Sequence, residues 1–211
     1  MRKIIGLLIA FIALFSPSVI FAQNTGPVIC IDAGHGGNDN GASYGSLLEK
    51  DETLQIAQDL QQKLLVNNYQ VIMTRVDDTG LTNSQRADIC NGNNTNKLVG
   101  QVLVSIHLNA SSNHSLDYTQ GLYGKKIKDY DFTKTINTAM GQLPDTTGNK
   151  GITNFADGML LKSKMPSTIA ETVFITSDTE YARLTDTINP GYRQREIADY
   201  LYKGISAWFS R

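Results

Sequence analysis

Hydrophobic and polar positions alternate along this chain in two periods. Val28-Ile29-Cys30-Ile31 is a short, mostly β-branched apolar run that predicts a buried strand. From Leu48 to Asn67 the period lengthens. Leu54, Ala57, Leu60 and Leu64 recur at helical spacing, Ile56 and Leu65 widen the stripe, and Gln55, Gln58, Asp59, Gln62 and Lys63 face away. Tyr69 to Arg75 predicts a second strand, and Asp77-Asp78-Thr79-Gly80 a turn. Thr82 or Asn83 is placed to cap a short helix through Cys90, and the polar run Asn91 to Asn96 predicts a loop. Gln101 to Ile106 predicts a third strand that ends at His107.

Farther on, Gly121–Gly124, Gly158–Leu161 and Thr168–Phe174 read as strands, and Asp129–Met140 as a helix. Ser177 or Asp178 would cap a helix through Thr185. Ile197, Leu201, Ile205 and Trp208 mark the core face of a last helix, Tyr192–Phe209. Strand–helix alternation implies an α/β fold: a single domain with a mixed, mostly parallel sheet of about six strands and helices on both faces.

The N-terminus departs from this pattern. Met1-Arg2-Lys3 precedes an apolar run from Ile4 to Phe15, then Ser16-Pro17-Ser18 and a small residue at Ala22. This predicts a secretory signal peptide over residues 1–22, with the folded domain at 23–211. An uncleaved membrane anchor is the alternative, but a run of about a dozen residues is short of the ~20 that span a bilayer. No cysteine adjoins the cleavage point, so no lipoprotein anchor is expected. Losing Arg2 and Lys3 moves the formal net charge from −1 to about −3, which excludes a nucleic-acid-binding balance. The cysteines are Cys30 and Cys90. Export would permit a disulfide, but a free thiol buried within the strand is the favoured reading of Cys30.

The abrupt change after Ile31 locates the chemistry. Asp32-Ala33-Gly34-His35-Gly36-Gly37 puts one histidine on a glycine-rich loop at a strand end. In parallel sheets, strand C-termini share an edge, so His107 belongs beside His35. Glu49 opens the helix that leaves the first loop and returns to that edge. Two imidazoles and a carboxylate form a common set for catalytic zinc. Read blandly, both histidines are satisfied loop residues and Glu49 only complements a helix N-terminus. Glu171 is the one acid in the apolar stretch Thr168–Phe174. It is either functional or part of a scaffold ion pair, for instance with Arg183.

Several segments together resemble the zinc-dependent N-acetylmuramoyl-L-alanine amidases, whose catalytic domain opens with Asp-Pro-Gly-His-Gly-Gly. Asp32–Gly37 followed by Asp39-Asn40-Gly41-Ala42 is similar to that opening, and Leu48-Glu49-Lys50-Asp51-Glu52-Thr53-Leu54 to the family's metal-binding glutamate segment. Thr74-Arg75, Arg86 with Asn91, Ser105-Ile106-His107-Leu108-Asn109-Ala110, and Glu171 with Phe174-Ile175 resemble further family features. The likeness runs from about Val28 to Phe209. It implies Zn2+ held by His35, Glu49 and His107, and Glu171 as the catalytic proton carrier. The implied reaction is hydrolysis of the amide between N-acetylmuramic acid and L-alanine.

The resemblance also implies peptidoglycan or a muropeptide as substrate, secretion to the periplasm or cell wall exterior, no nucleic acid and no membrane after leader removal. A monomer is expected, and any activating protein partner is left open. Ala33, Lys97–Gly100, Val173 and Ile175-Thr176-Ser177 depart from the family pattern, the last two beside Glu171. Two rival readings are a non-catalytic wall-binding protein and a zinc peptidase acting within the stem peptide. His114 reads as a solvated loop residue, Asp32 equally as a ligand-orienting group or a loop cap, and Asn109 as structural. Arg75 and Arg86 read as partners of scaffold acids. Tyr118, Tyr123, Tyr130 and Phe132 read as packing or as a glycan-facing rim.

Overall fold

The computed structural model describes residues 25–211. The expected leader at residues 1–22 lies outside them. The elements run β1 (Val28–Ala33), β2 (Ser43–Tyr44), β3 (Leu47–Leu48), α1 (Glu49–Val66), β4 (Gln70–Met73), α2 (Asn83–Cys90) and β5 (Val102–Asn109). They continue with β6 (Thr119–Tyr123), α3 (Lys126–Met140), β7 (Asn149–Asn154), α4 (Gly158–Lys162), β8 (Ser167–Phe174), α5 (Asp178–Leu184) and α6 (Tyr192–Phe209). Six strands form one sheet in the order β4-β1-β5-β8-β6-β7, and β2 and β3 make a separate hairpin. β4, β1, β5 and β8 are parallel, and β6 turns antiparallel against β8. This is the expected single α/β domain with a mostly parallel sheet.

Strand alternation sorts the side chains onto two faces. Ile29, Ile31, Val102, Val104 and Ile106 join a large apolar cluster with Ile56, Leu60 and Leu64 of α1, Phe132 and Ile136 of α3, and Ile197, Leu201 and Ile205 of α6. The opposite face packs Cys30, Leu103 and Ile169 against Ala87 and Cys90 of α2 and Met159 and Leu160 of α4. There α2 and α4 leave the C-terminal ends of β1, β5 and β8 open. Cys30 and Cys90 form a disulfide with their Cα atoms 5.6 Å apart, which ties β1 to the last residue of α2. Among the described residues no helix is long and apolar enough to cross a membrane.

Three local expectations change. Gly158–Leu161 is helical, because the Asp157 side chain accepts from the Met159 and Leu160 N–H groups and starts a turn. A short apolar run carries no period that separates strand from helix. β7 was not foreseen, since Asn149–Asn154 is a polar, largely exposed edge strand. His107 lies inside β5 and not just beyond it, because the strand continues to Asn109. The short helices start as expected: Thr82 makes a capping box with Gln85, and Ser177 caps α5.

Candidate metal centre and active site

His35, Glu49 and His107 converge. One donor atom from each lies within 4.8 Å of the others. His107 is set by the sheet: it sits in β5 beside its register partner Glu171 of β8. His35 is set by the loop after β1, where its φ is +62°, a backbone region that a side-chain-bearing residue rarely adopts. Glu49 is the first residue of α1, directly after β3, and its N–H donates to Ala42 O at 2.9 Å.

The donor atoms are individually oriented. His35 Nδ1 faces Asp39 Oδ2 at 2.9 Å, which leaves Nε2, 3.0 Å from Glu49 Oε1, toward the shared centre. His107 Nδ1 lies 3.1 Å from that same oxygen. Backbone N–H groups hold the carboxylate: Leu108 donates to Oε1 at 3.0 Å and Ala42 to Oε2 at 2.8 Å. Two glycines make the room. A Cβ on Gly34 would lie 2.5 Å from the His107 ring, and one on Gly41 would lie 2.6 Å from both Glu49 Oε2 and His35 Cδ2.

The set of two nitrogens and one carboxylate oxygen suits a zinc-type ion with an open fourth position, so the residues fit the metal that the sequence implies. Protonation points the same way. Burial opposes charge on Glu49, yet His107 and His35 outweigh it and hold the carboxyl well below its usual range. Burial likewise lowers both histidines, but Glu49, joined by Asp39 at His35 and by Glu171 at His107, raises them above the ordinary value. A cation bound here competes with those protons, so its affinity falls toward low pH.

Glu171 lines the same cleft, a volume of about 440 Å³ that also takes in Asp32, Ser105 and Arg86. Leu122, Met159 and Ile169 give it an apolar portion, and Phe155, which also lines it, is half exposed. Burial raises the Glu171 carboxyl and the Glu49 charge adds to this, while His107 and His35 pull it down; the net direction is upward. Arg183 is not its partner, because it pairs with Asp145 at 2.8 Å. A larger groove of about 570 Å³ between α1 and α6 contains none of these residues.

Asp32 is buried, lines the cleft and makes no hydrogen bond to either histidine ring. It accepts from Thr74 Oγ1 and Ser105 Oγ at 2.6 Å and from Arg86 Nη1 at 2.8 Å. Burial opposes its charge, but Arg86 and these hydroxyls outweigh that and lower its pKa. Arg86 thus pairs with an acid as expected. Arg75 does not: it donates to the carbonyls of Ala33, Gly34, Lys50 and Asp77. His114 stays outside the metal group, with Nδ1 2.7 Å from the Tyr44 hydroxyl. Asn109 accepts from Ala110 N at 2.8 Å. Phe132 is core, and Tyr118 and Tyr123 pack edge-on against Phe174 and Tyr130. In the sequence Asp39 stands out only as part of the stretch Asp39–Ala42 that resembles the family's opening motif; its contact with His35 Nδ1 comes from the fold of the loop.

Comparison with known proteins agrees with this geometry. The family model for N-acetylmuramoyl-L-alanine amidase matches residues 29–207. The germination-specific N-acetylmuramoyl-L-alanine amidase of Bacillus subtilis is 29% identical over 201 residues, covering 88% of this chain and 81% of that protein. N-acetylmuramoyl-L-alanine amidase AmiC2 of Nostoc punctiforme superposes with a TM-score of 0.77 at 27% identity, over 90% of this chain and 100% of that one. An N-acetylmuramoyl-L-alanine amidase from Clostridium difficile 630 gives 0.76 at 29% identity, over 89% and 98%. With the family match spanning nearly all of the described chain, this protein belongs to the N-acetylmuramoyl-L-alanine amidases.

Proposed function

We propose that the protein is an exported zinc hydrolase of peptidoglycan that cleaves the amide between the lactyl group of N-acetylmuramic acid and L-alanine. The observation that carries this reading is the convergence of His35, Glu49 and His107 at one end of a cleft that Glu171 also lines. Zinc, when bound, supplies Lewis acidity, lowering the pKa of a water to about 7 and polarising the scissile carbonyl. Glu171 takes the proton of the attacking water and returns it to the leaving amine of L-alanine. Its raised pKa suits both halves of that transfer. Asp39 holds His35 Nδ1, so that Nε2 would be the nitrogen offered to a bound zinc, and Glu49 is fixed by its two backbone donors.

Residues 1–22 act as the leader and the mature chain begins at Gln23, in the periplasm or at the cell wall exterior. The Cys30–Cys90 bond suits that oxidising setting. Each chain carries all three donors and Glu171, so a monomer suffices. Digesting purified peptidoglycan and identifying the products by mass spectrometry tests the reading. Stem peptides with a free L-alanine N-terminus are expected; cleavage within the stem, or none, would contradict it.

A further inference from the structure

His35 holds a φ of +62°, uncommon for any residue other than glycine, and its carbonyl has a specific buried partner. Arg86 Nη2 donates to His35 O at 2.6 Å. The same guanidinium donates through Nη1 to Ala33 O at 2.7 Å and to Asp32 Oδ1 at 2.8 Å, and through Nε to Leu81 O at 3.2 Å. Arg86 is 5% exposed and Asp32 1%. These bonds use four of the five N–H donors of the guanidinium. Its planar fork bridges the end of β1 and the loop that carries the ligand. Arg75 and Thr53 hold the neighbouring carbonyl of Gly34, but among the described residues only Arg86 bonds to the carbonyl of His35.

The helix that delivers Arg86 is itself fastened. Its last residue, Cys90, is bonded to Cys30, two residues before Asp32 on the strand that leads into the loop. One covalent link and one guanidinium therefore join α2 to the same few residues of backbone.

We infer that Arg86 is a positioning residue for the metal centre: it holds His35 in its left-handed conformation, and the Cys30–Cys90 bond keeps α2 where Arg86 can do so. The inference rests on the reading of His35 as a ligand. Arg86 makes no hydrogen bond to the side chains of His35, Glu49, His107 or Glu171. Its effect reaches the centre through the position of the His35 ring, as groups behind a ligand commonly act. A lysine at 86 keeps a positive charge against Asp32 but cannot bridge two carbonyls in one plane.

The test is zinc affinity, measured by chelator competition on purified protein, alongside the thermal midpoint of the metal-free form. Arg86→Lys should stay folded and bind zinc about 10–100-fold more weakly. Arg193→Lys removes an equally buried guanidinium, bonded to Glu180 and Glu196 away from the cleft. It should lower the midpoint and leave zinc affinity unchanged. If Arg86→Lys does not fold, Cys30→Ala/Cys90→Ala carries the test, with a several-fold loss of zinc affinity expected in the folded protein. Wild-type affinity in the folded Arg86→Lys variant, or in the double alanine variant where it stands in, would overturn the inference. So would equal losses in Arg86→Lys and Arg193→Lys. His35→Ala separates the two readings: it should abolish tight binding, and if it does not, His35 is no ligand and the inference falls with that assignment.

Discussion

The two faces of the central sheet use the same strands to different ends. On one face Ile29, Ile31, Val102, Val104 and Ile106 are fully buried under α1, α3 and α6. On the other, Cys30, Leu103 and Ile169 are covered by two short helices, and beyond them Asp32, Ser105, His107 and Glu171 open onto the cleft. In β5 the scaffold residues Val104, Ile106 and Leu108 alternate with Ser105 and His107. A one-residue slip would exchange chemistry for core. The lesson is that a well-buried face fixes the register, and the register then places the reactive groups on the face that burial leaves unfinished.

The sharpest separation of the faces should come from His107→Ala. The variant is expected to fold and to lose its zinc, because two remaining ligands rarely hold the ion tightly. Full occupancy by metal analysis would remove His107 from the ligand set. Phe132→Ala probes the other face. Phe132 is fully buried and packs against Trp208 with ring centroids 5.2 Å apart. Its loss should cost about 3–5 kcal/mol in urea unfolding. Zinc affinity of the folded variant should not move; a shift would mean that the faces are coupled.

Those two residues also mark what could be read from the sequence. The apolar run before His107 and the helical pattern over Asp129–Met140 are local, and they led to β5 and to α3, although β5 runs past His107 to Asn109. Glu171 stood out as an acid in an apolar strand. What was not legible depends on contacts between distant segments. Cys30 and Cys90 are 60 residues apart, and their bond follows from where α2 lands on β1. The Arg86 contacts follow from the same landing. β7 has no buried apolar stripe, so no period announces it. Arg75 looked like an acid's partner, yet it holds carbonyls, because the loop after β1 exposes its backbone acceptors to the interior.

Asp39→Ala is a milder change on the cleft side. It removes the partner of His35 Nδ1 without touching the donor atoms. Zinc affinity should fall about 10-fold, within the range usual for such orienting groups. An unchanged value in chelator competition would show that the loop alone orients the ring.

The smallest contrast is electrostatic and lies outside the His35–Glu49–His107 group. Asp117 is buried next to Glu180 and accepts from Phe174 N at 3.2 Å. Burial, reinforced by the Glu180 charge, pushes its carboxyl up to about 7. An unfolded aspartate titrates near 3.9. The folded state therefore keeps a proton that the unfolded state has lost, so this group's stabilising contribution is full below about pH 4. It declines as pH rises toward 7. Asp117→Asn should flatten that decline in thermal midpoints taken between pH 5 and 8. An equally steep decline in the variant would assign it to another group.

The most direct measurement concerns Glu171→Gln, followed by peptidoglycan amide cleavage, zinc content and thermal midpoint on one preparation. Glutamine has nearly the same shape and can still hydrogen-bond to a water, but it cannot take its proton. Zinc content and midpoint should match the wild type while cleavage falls by about 10²–10⁴-fold, the usual loss for a general acid–base. Cleavage within a few-fold of wild type, with zinc retained, would contradict proton transfer by Glu171.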